Sequence, residues 1–270
     1  MFVANKLVYL QLQKTGSTHI TKLLSEILQG QEYTKHMRPP LSVSEKNKYF
    51  IGSIRNPWDW YVSLWSFGCQ DKGGFYNRMT SRIFTGLYMF KYPFKTTLAF
   101  INELTKPTGK WKYLYSDWKD PELFRKWLKL IFNPRRKYDL KEKYGFSPIS
   151  DYGGFLTYRY MYLYSKEVKK LYSNKYVGNL IKLKNFDKSN NILDFIIRNE
   201  NLENDLIDVF HKIGIALDDE DINKINSSKK TNTSKRNKNL KLYYDEDSRK
   251  LIYKRERFLI DKYNYTKPDL

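Results

Sequence analysis

The chain has 270 residues, 41% of them hydrophobic, enough to bury the core of one large α/β domain or two small ones. Its single cysteine, Cys69, excludes an internal disulfide framework, and no run approaches the roughly 18 apolar residues of a membrane span. The formal net charge of +20 suits an anionic substrate, nucleic acid or a membrane surface, and equally suits the Lys, Asn, Ile and Tyr loading of an AT-rich coding sequence.

The opening stretch MFVANKLVYLQLQ carries an apolar run too short for a signal peptide, so a soluble, cytoplasmic protein is expected. Leu7-Val8-Tyr9-Leu10 fits a buried strand. Ile20, Leu23, Leu24, Ile27 and Leu28 recur at helical spacing, and Gly30 is placed to end that helix. The loop QKTGST therefore lies between a strand and a helix start. YFIGSI, residues 49–54, reads as a second buried strand running into RNPWDWYVSLWSF. There Asn56 can cap and Pro57 can take the first helical position. Trp58, Tyr61, Val62 and Trp65 would form the apolar face of this helix, and Asn56, Asp59 and Ser63 its polar face. Asp120-Pro121 starts a helix through about Ile131, and VGNLIKL, residues 177–183, reads as a further strand. ILDFIIRNENLENDLIDVFHKIGI gives helical pieces ending near Gly214; residues 226–239 form a basic polar loop, and DEDSRKLIYKRERFLIDKYNY closes as a helix. No repeat or linker divides the chain, so residues 1–270 read as a single α/β domain: a parallel sheet flanked by helices, with helical insertions.

In such a sheet, ligands bind beyond the carboxyl ends of the strands. The first junction offers helix-terminal amides with Lys14, Thr15, Gly16, Ser17 and Thr18; the second offers Arg55 at the strand end and Ser63 two turns into the helix. One ligand with two separate anionic groups would satisfy both. The loop is not a Walker A motif, because its lysine precedes the glycine.

QKTGSTHI resembles the 5′-phosphosulfate loop of sulfotransferases that use 3′-phosphoadenosine 5′-phosphosulfate (PAPS). IGSIRNPWDWYVSLWSF resembles their 3′-phosphate element, with Ser63 eight positions after Arg55, and residues 230–265 are similar to the family's C-terminal basic loop and helix. The three segments stand in family order, and the likeness is nearest to the carbohydrate-modifying branch. Ser17 replaces a common second glycine, and Trp60 stands where the RNPxxR pattern has its second arginine.

The resemblance implies the sulfotransferase fold, a P-loop-like α/β domain, and metal-free in-line transfer of a sulfuryl group from PAPS to an acceptor hydroxyl, with a glycan as leading acceptor and PAP as product. It implies Lys14 at the sulfate and bridging oxygen, and Thr15, Gly16, Ser17 and Thr18 around the 5′-phosphate. Arg55 and Ser63 would hold the 3′-phosphate, with Ser234, Lys235 and Arg236 folded over the cofactor. Of the three histidines, His19, His36 and His211, His36 is favoured as the base, because many relatives carry a Lys-His pair between the two cofactor motifs. A structural histidine, or a carboxylate base from the middle of the chain, stays open. The rival readings are a P-loop-type kinase, which needs a GK[ST] turn and a magnesium-binding aspartate, and a basic nucleic-acid-binding protein, which needs a recognition motif. Neither signature is present.

Overall fold

Five short strands form one sheet: β1 (Phe2–Ala4), β2 (Leu7–Leu10), β3 (Gly30–Glu32), β4 (Tyr49–Ile54) and β5 (Phe195–Arg198). The structure is a computed structural model that describes residues 1–39, 47–82, 93–140, 142–228 and 235–269. The strand order is β3-β1-β2-β4-β5. β2 runs parallel to β4 and β4 to β5, in a register that sets Leu10 beside Gly52 and Ile54 beside Arg198. β1 is antiparallel to both β2 and β3, so the sheet is mixed rather than wholly parallel. Only Asn5 and Lys6 separate β1 from β2, and a two-residue link can join only antiparallel neighbours.

The helices that matter below are α1 (Ser17–Ile27), α2 (Pro57–Gly68), α3 (Pro121–Ile131), α4 (Phe155–Tyr164), α5 (Leu180–Asn190), α6 (Leu202–Lys212), α7 (Asp219–Ser227), α8 (Glu246–Arg255) and α9 (Arg257–Tyr263). Two expectations are corrected. Residues 177–183 are not a strand but enter α5, and the third parallel strand is β5, within a stretch expected to be helical. Gly30 does not end α1, which closes at Leu28; it opens β3, where a Cβ would collide with the Phe2 ring and meet Val3 O at 2.8 Å.

The chain divides into two compact units. The first comprises Met1–Asn56, Arg159–Val168 and Asn185–Thr233; the second comprises Pro57–Tyr158, Lys169–Lys184 and Ser234–Leu270. In the first unit, Leu7, Tyr9, Ile51 and Ile197 from one sheet face pack with Ile20, Leu23 and Leu24 of α1, Leu202, Leu206, Val209 and Phe210 of α6, and Ile225 of α7. Successive strand residues point to opposite faces, so β2 and β4 bury both of theirs.

The second unit is helical and aromatic. In α2, Trp58, Trp60, Tyr61, Val62, Ser63, Leu64, Trp65 and Ser66 are all buried, so the helix lacks the exposed polar face expected for it, with Asp59 only partly covered. Trp65 packs on Phe124 of α3 at 5.4 Å between ring centroids, and Trp60 meets Tyr61 edge-on at 4.9 Å. The fully buried Glu256, at the break between α8 and α9, accepts from Tyr61 OH (2.5 Å), Thr157 Oγ1 (2.6 Å), Thr157 N (2.9 Å) and Leu156 N (3.2 Å). Its carboxylate thus satisfies amide donors that the first turn of α4 leaves unpaired. Among the described residues, no helix is long and apolar enough to cross a membrane.

Candidate functional site

Three strand-to-helix junctions meet at the carboxyl ends of β2, β4 and β5 in the first unit. The first is the loop from Gln11 to Gly16. Lys14 and Gly16 both adopt left-handed backbone, with φ of 64° and 79°. Left-handed residues of this kind are a feature of loops whose amides can gather around an anion. Gly16 is required twice over. Its φ is costly for any other residue, and a Cβ would meet Asn199 Nδ2 at 2.7 Å and Leu202 Cδ1 at 2.9 Å in the third junction. The Gly16 carbonyl accepts from the His19 and Ile20 amides, which fixes the start of α1 beneath the loop.

The second junction turns back onto the first. The Arg55 guanidinium donates to the Lys14 carbonyl at 3.1 Å. The Asn56 amide donates to Glu200 Oε1 at 2.7 Å, linking the second junction to the third. Lys14, Gly16, Thr18 and Arg55 are half-buried, and Ser17 is buried at the first position of α1.

Thr15 is used differently from expectation. Its hydroxyl is fully buried, donates to Leu12 O at 2.7 Å and bonds Ser53 Oγ at 2.6 Å. Ser53 in turn bonds the Tyr9 hydroxyl at 2.8 Å, and burial holds that phenol well above its usual range. The Thr15 hydroxyl therefore anchors the loop to β4 and, through Ser53 and Tyr9, to β2.

His36 lies beside this loop. Its Nδ1 is 2.8 Å from the Gln11 carbonyl. A carbonyl only accepts, so Nδ1 carries the proton and Nε2 keeps its lone pair in the neutral ring. The imidazole is pushed down to a pKa of about 4, chiefly by burial, with the charges of Arg159, the Met1 amine and Lys35 acting the same way against the Gln11 carbonyl. It is neutral at pH 7. His19, by contrast, is buried in α1 with Nε2 3.2 Å from Ser228 Oγ.

Arg159 was not expected here. It is 5% exposed and donates from Nη1 to Gln13 Oε1, in the loop that carries Lys14. The signal was present in the sequence: Arg159 is the only charged residue in the ten-residue aromatic run FLTYRYMYLY. Asn199 was missed because β5 was.

The remaining expected residues belong to the second unit. Ser63 is buried in α2, 2% exposed. Arg236 pairs with the Asp59 carboxylate of α2, and Lys235 is exposed. Ser234 lies outside the described residues. Among the described residues, no group of three or more His, Cys, Asp or Glu side chains is placed to hold a metal ion. In comparisons with known proteins, no family model, curated protein or solved structure matches the chain.

Proposed function

We propose that the protein is a PAPS-dependent sulfotransferase that moves a sulfuryl group to an acceptor hydroxyl, with a carbohydrate as the acceptor class. The observation that carries this reading is the closure of Arg55 onto the Lys14 loop, which joins two junctions read separately as phosphate sites. The donor set fits a multiply charged anion: loop amides, the Lys14 ammonium, and the half-buried Arg55 guanidinium, a group whose planar fork suits phosphate oxygens.

PAPS, when bound, supplies the activated sulfuryl group. The chain's part is positioning and charge stabilisation, as in phosphoryl transfer. Amides of Thr15, Gly16, Ser17 and Thr18 hold the 5′-phosphate side, with the Ser17 and Thr18 hydroxyls. The Lys14 ammonium neutralises charge developing where the leaving group departs. Arg55 holds the 3′-phosphate. His36 Nε2, whose lone pair the Nδ1 bond to Gln11 leaves in place, takes the acceptor's proton, since the neutral ring predominates at pH 7. The resemblance adds Ser63 at the 3′-phosphate and Ser234, Lys235 and Arg236 folded over the cofactor; they do not carry the proposal. The test is transfer of labelled sulfate from PAPS to a panel of glycans and small alcohols, against PAPS hydrolysis as background. Labelled product supports the reading, and transfer to no member of a broad panel counts against it.

A further inference from the structure

The second unit holds a pocket of about 310 Å³ that none of this chemistry uses. Its size lies at the lower end of small-molecule sites, about 300–1,000 Å³. Leu114 and Leu130 form an apolar floor, and Tyr113, 61% exposed, stands at one side. Lys110, at the helix Thr108–Tyr113, and Lys126 and Lys129, on α3, surround it, and no acidic side chain lines it.

The three lysines differ from their basic neighbours. Arg125, Arg136 and Lys137 are paired with Glu122, Asp139 and Asp151. Among the described residues, Lys110, Lys126 and Lys129 form no ion pair. Asp245, whose charge Lys129 favours, is occupied in capping α8. Three ammonium groups on aliphatic stems around a leucine floor fit a particular chemistry: an acidic head with an apolar body. A small inorganic anion would leave the floor wet, and a neutral hydrocarbon would leave the lysines unused. We infer that this pocket binds a monomeric amphiphilic anion, a carboxylate or sulfate ester carrying a medium-length alkyl chain. An open pocket of about 310 Å³ has room for one such molecule.

The test is calorimetry on the full chain with sodium decanoate below its micelle concentration, beside decanol, acetate and vesicles containing an anionic phospholipid. The expected result is saturable binding of one decanoate per chain, with decanol and acetate at least about tenfold weaker. Exposed ion pairs contribute up to about 1 kcal/mol each, so Lys126→Glu with Lys129→Glu should weaken decanoate by about tenfold or more. The charge-matched control Lys241→Glu with Lys254→Glu, at exposed sites outside the pocket, should leave binding within about twofold of wild type, since screened surface charges contribute little. Equal loss in both variants would assign the effect to net charge and overturn the proposal. So would decanol binding as well as decanoate, or vesicle binding without decanoate binding. None of these outcomes bears on sulfuryl transfer.

Discussion

At the scale of single residues, the proposed function makes separate predictions for His36 and Lys14. His36 is bonded through Nδ1 to Gln11 O and stays neutral until pH approaches about 4. If Nε2 is the base, the acid limb of kcat/KM should lie near pH 4 rather than near the ordinary histidine value of about 6.5. His36→Gln should lower turnover by about 10²–10⁴-fold while leaving nucleotide affinity nearly unchanged. The same group affects stability. Its folded pKa lies below its unfolded one, so between pH 6.5 and 4 the unfolded chain binds more protons. Stability contributed by the neutral ring is present above about pH 6.5 and is lost as pH falls toward 4. Urea denaturation across that window should show a shallower loss in His36→Gln than in wild type. Equal slopes would mean that the ring is not held neutral. Lys14→Ala should slow transfer by about 10²–10³-fold, the usual cost of one transition-state donor, with the fold intact. Near-normal turnover in that variant would remove Lys14 from the chemistry.

At the scale of elements, the loop between β2 and α1 works because the chain can reverse at Gly16. Gly16→Ala places a Cβ against Asn199 and Leu202 and forces a φ of 79° on a residue that disfavours it. It should cost more than about 1 kcal/mol of stability and weaken nucleotide binding, measured by thermal melts with and without PAP. Wild-type affinity in this variant would mean that the junctions need not meet as closely as described. β2, α1, β4 and the start of α2 were legible because turn residues at their ends agree with the apolar pattern inside them. The exchange of α5 and β5 has a physical cause. VGNLIKL is apolar enough for a strand, yet Asn179 accepts from Lys182 N at 2.9 Å, and Leu183 and Phe186 are buried at helical spacing. The capping Asn179 stands inside the run that reads as a strand. β5 has only four residues between Asp194 and the cap-like Asn199, too few for a period of two to stand out beside the strong stripe of α6. β1 was overlooked for the same reason, with three residues. Within the site, Lys14, Gly16 and Arg55 could be read from spacing. Arg159 could not be placed, since nothing local says which strand ends a helix 146 residues beyond Gln13 will approach.

At the scale of the whole molecule, the net charge of +20 is a poor guide to function, because it does not say which cations stand in ion pairs, as Arg236 does with Asp59 and Arg125 with Glu122. What is informative is position: in the first unit the Arg55 guanidinium closes on the Lys14 carbonyl, and Arg159 bonds Gln13 in the same loop. The central claim is that this cradle is built for an adenosine bisphosphate. Calorimetry with 3′-phosphoadenosine 5′-phosphate, AMP and ATP, each with and without magnesium, tests it most directly. Leaving a partly desolvated arginine without its phosphate costs on the order of 2–5 kcal/mol, so AMP should bind about 30- to several-thousand-fold more weakly than the bisphosphate. Magnesium should change neither value, and Arg55→Ala should remove most of the preference. Equal affinity for AMP and the bisphosphate, or tight magnesium-dependent ATP binding, would contradict the account.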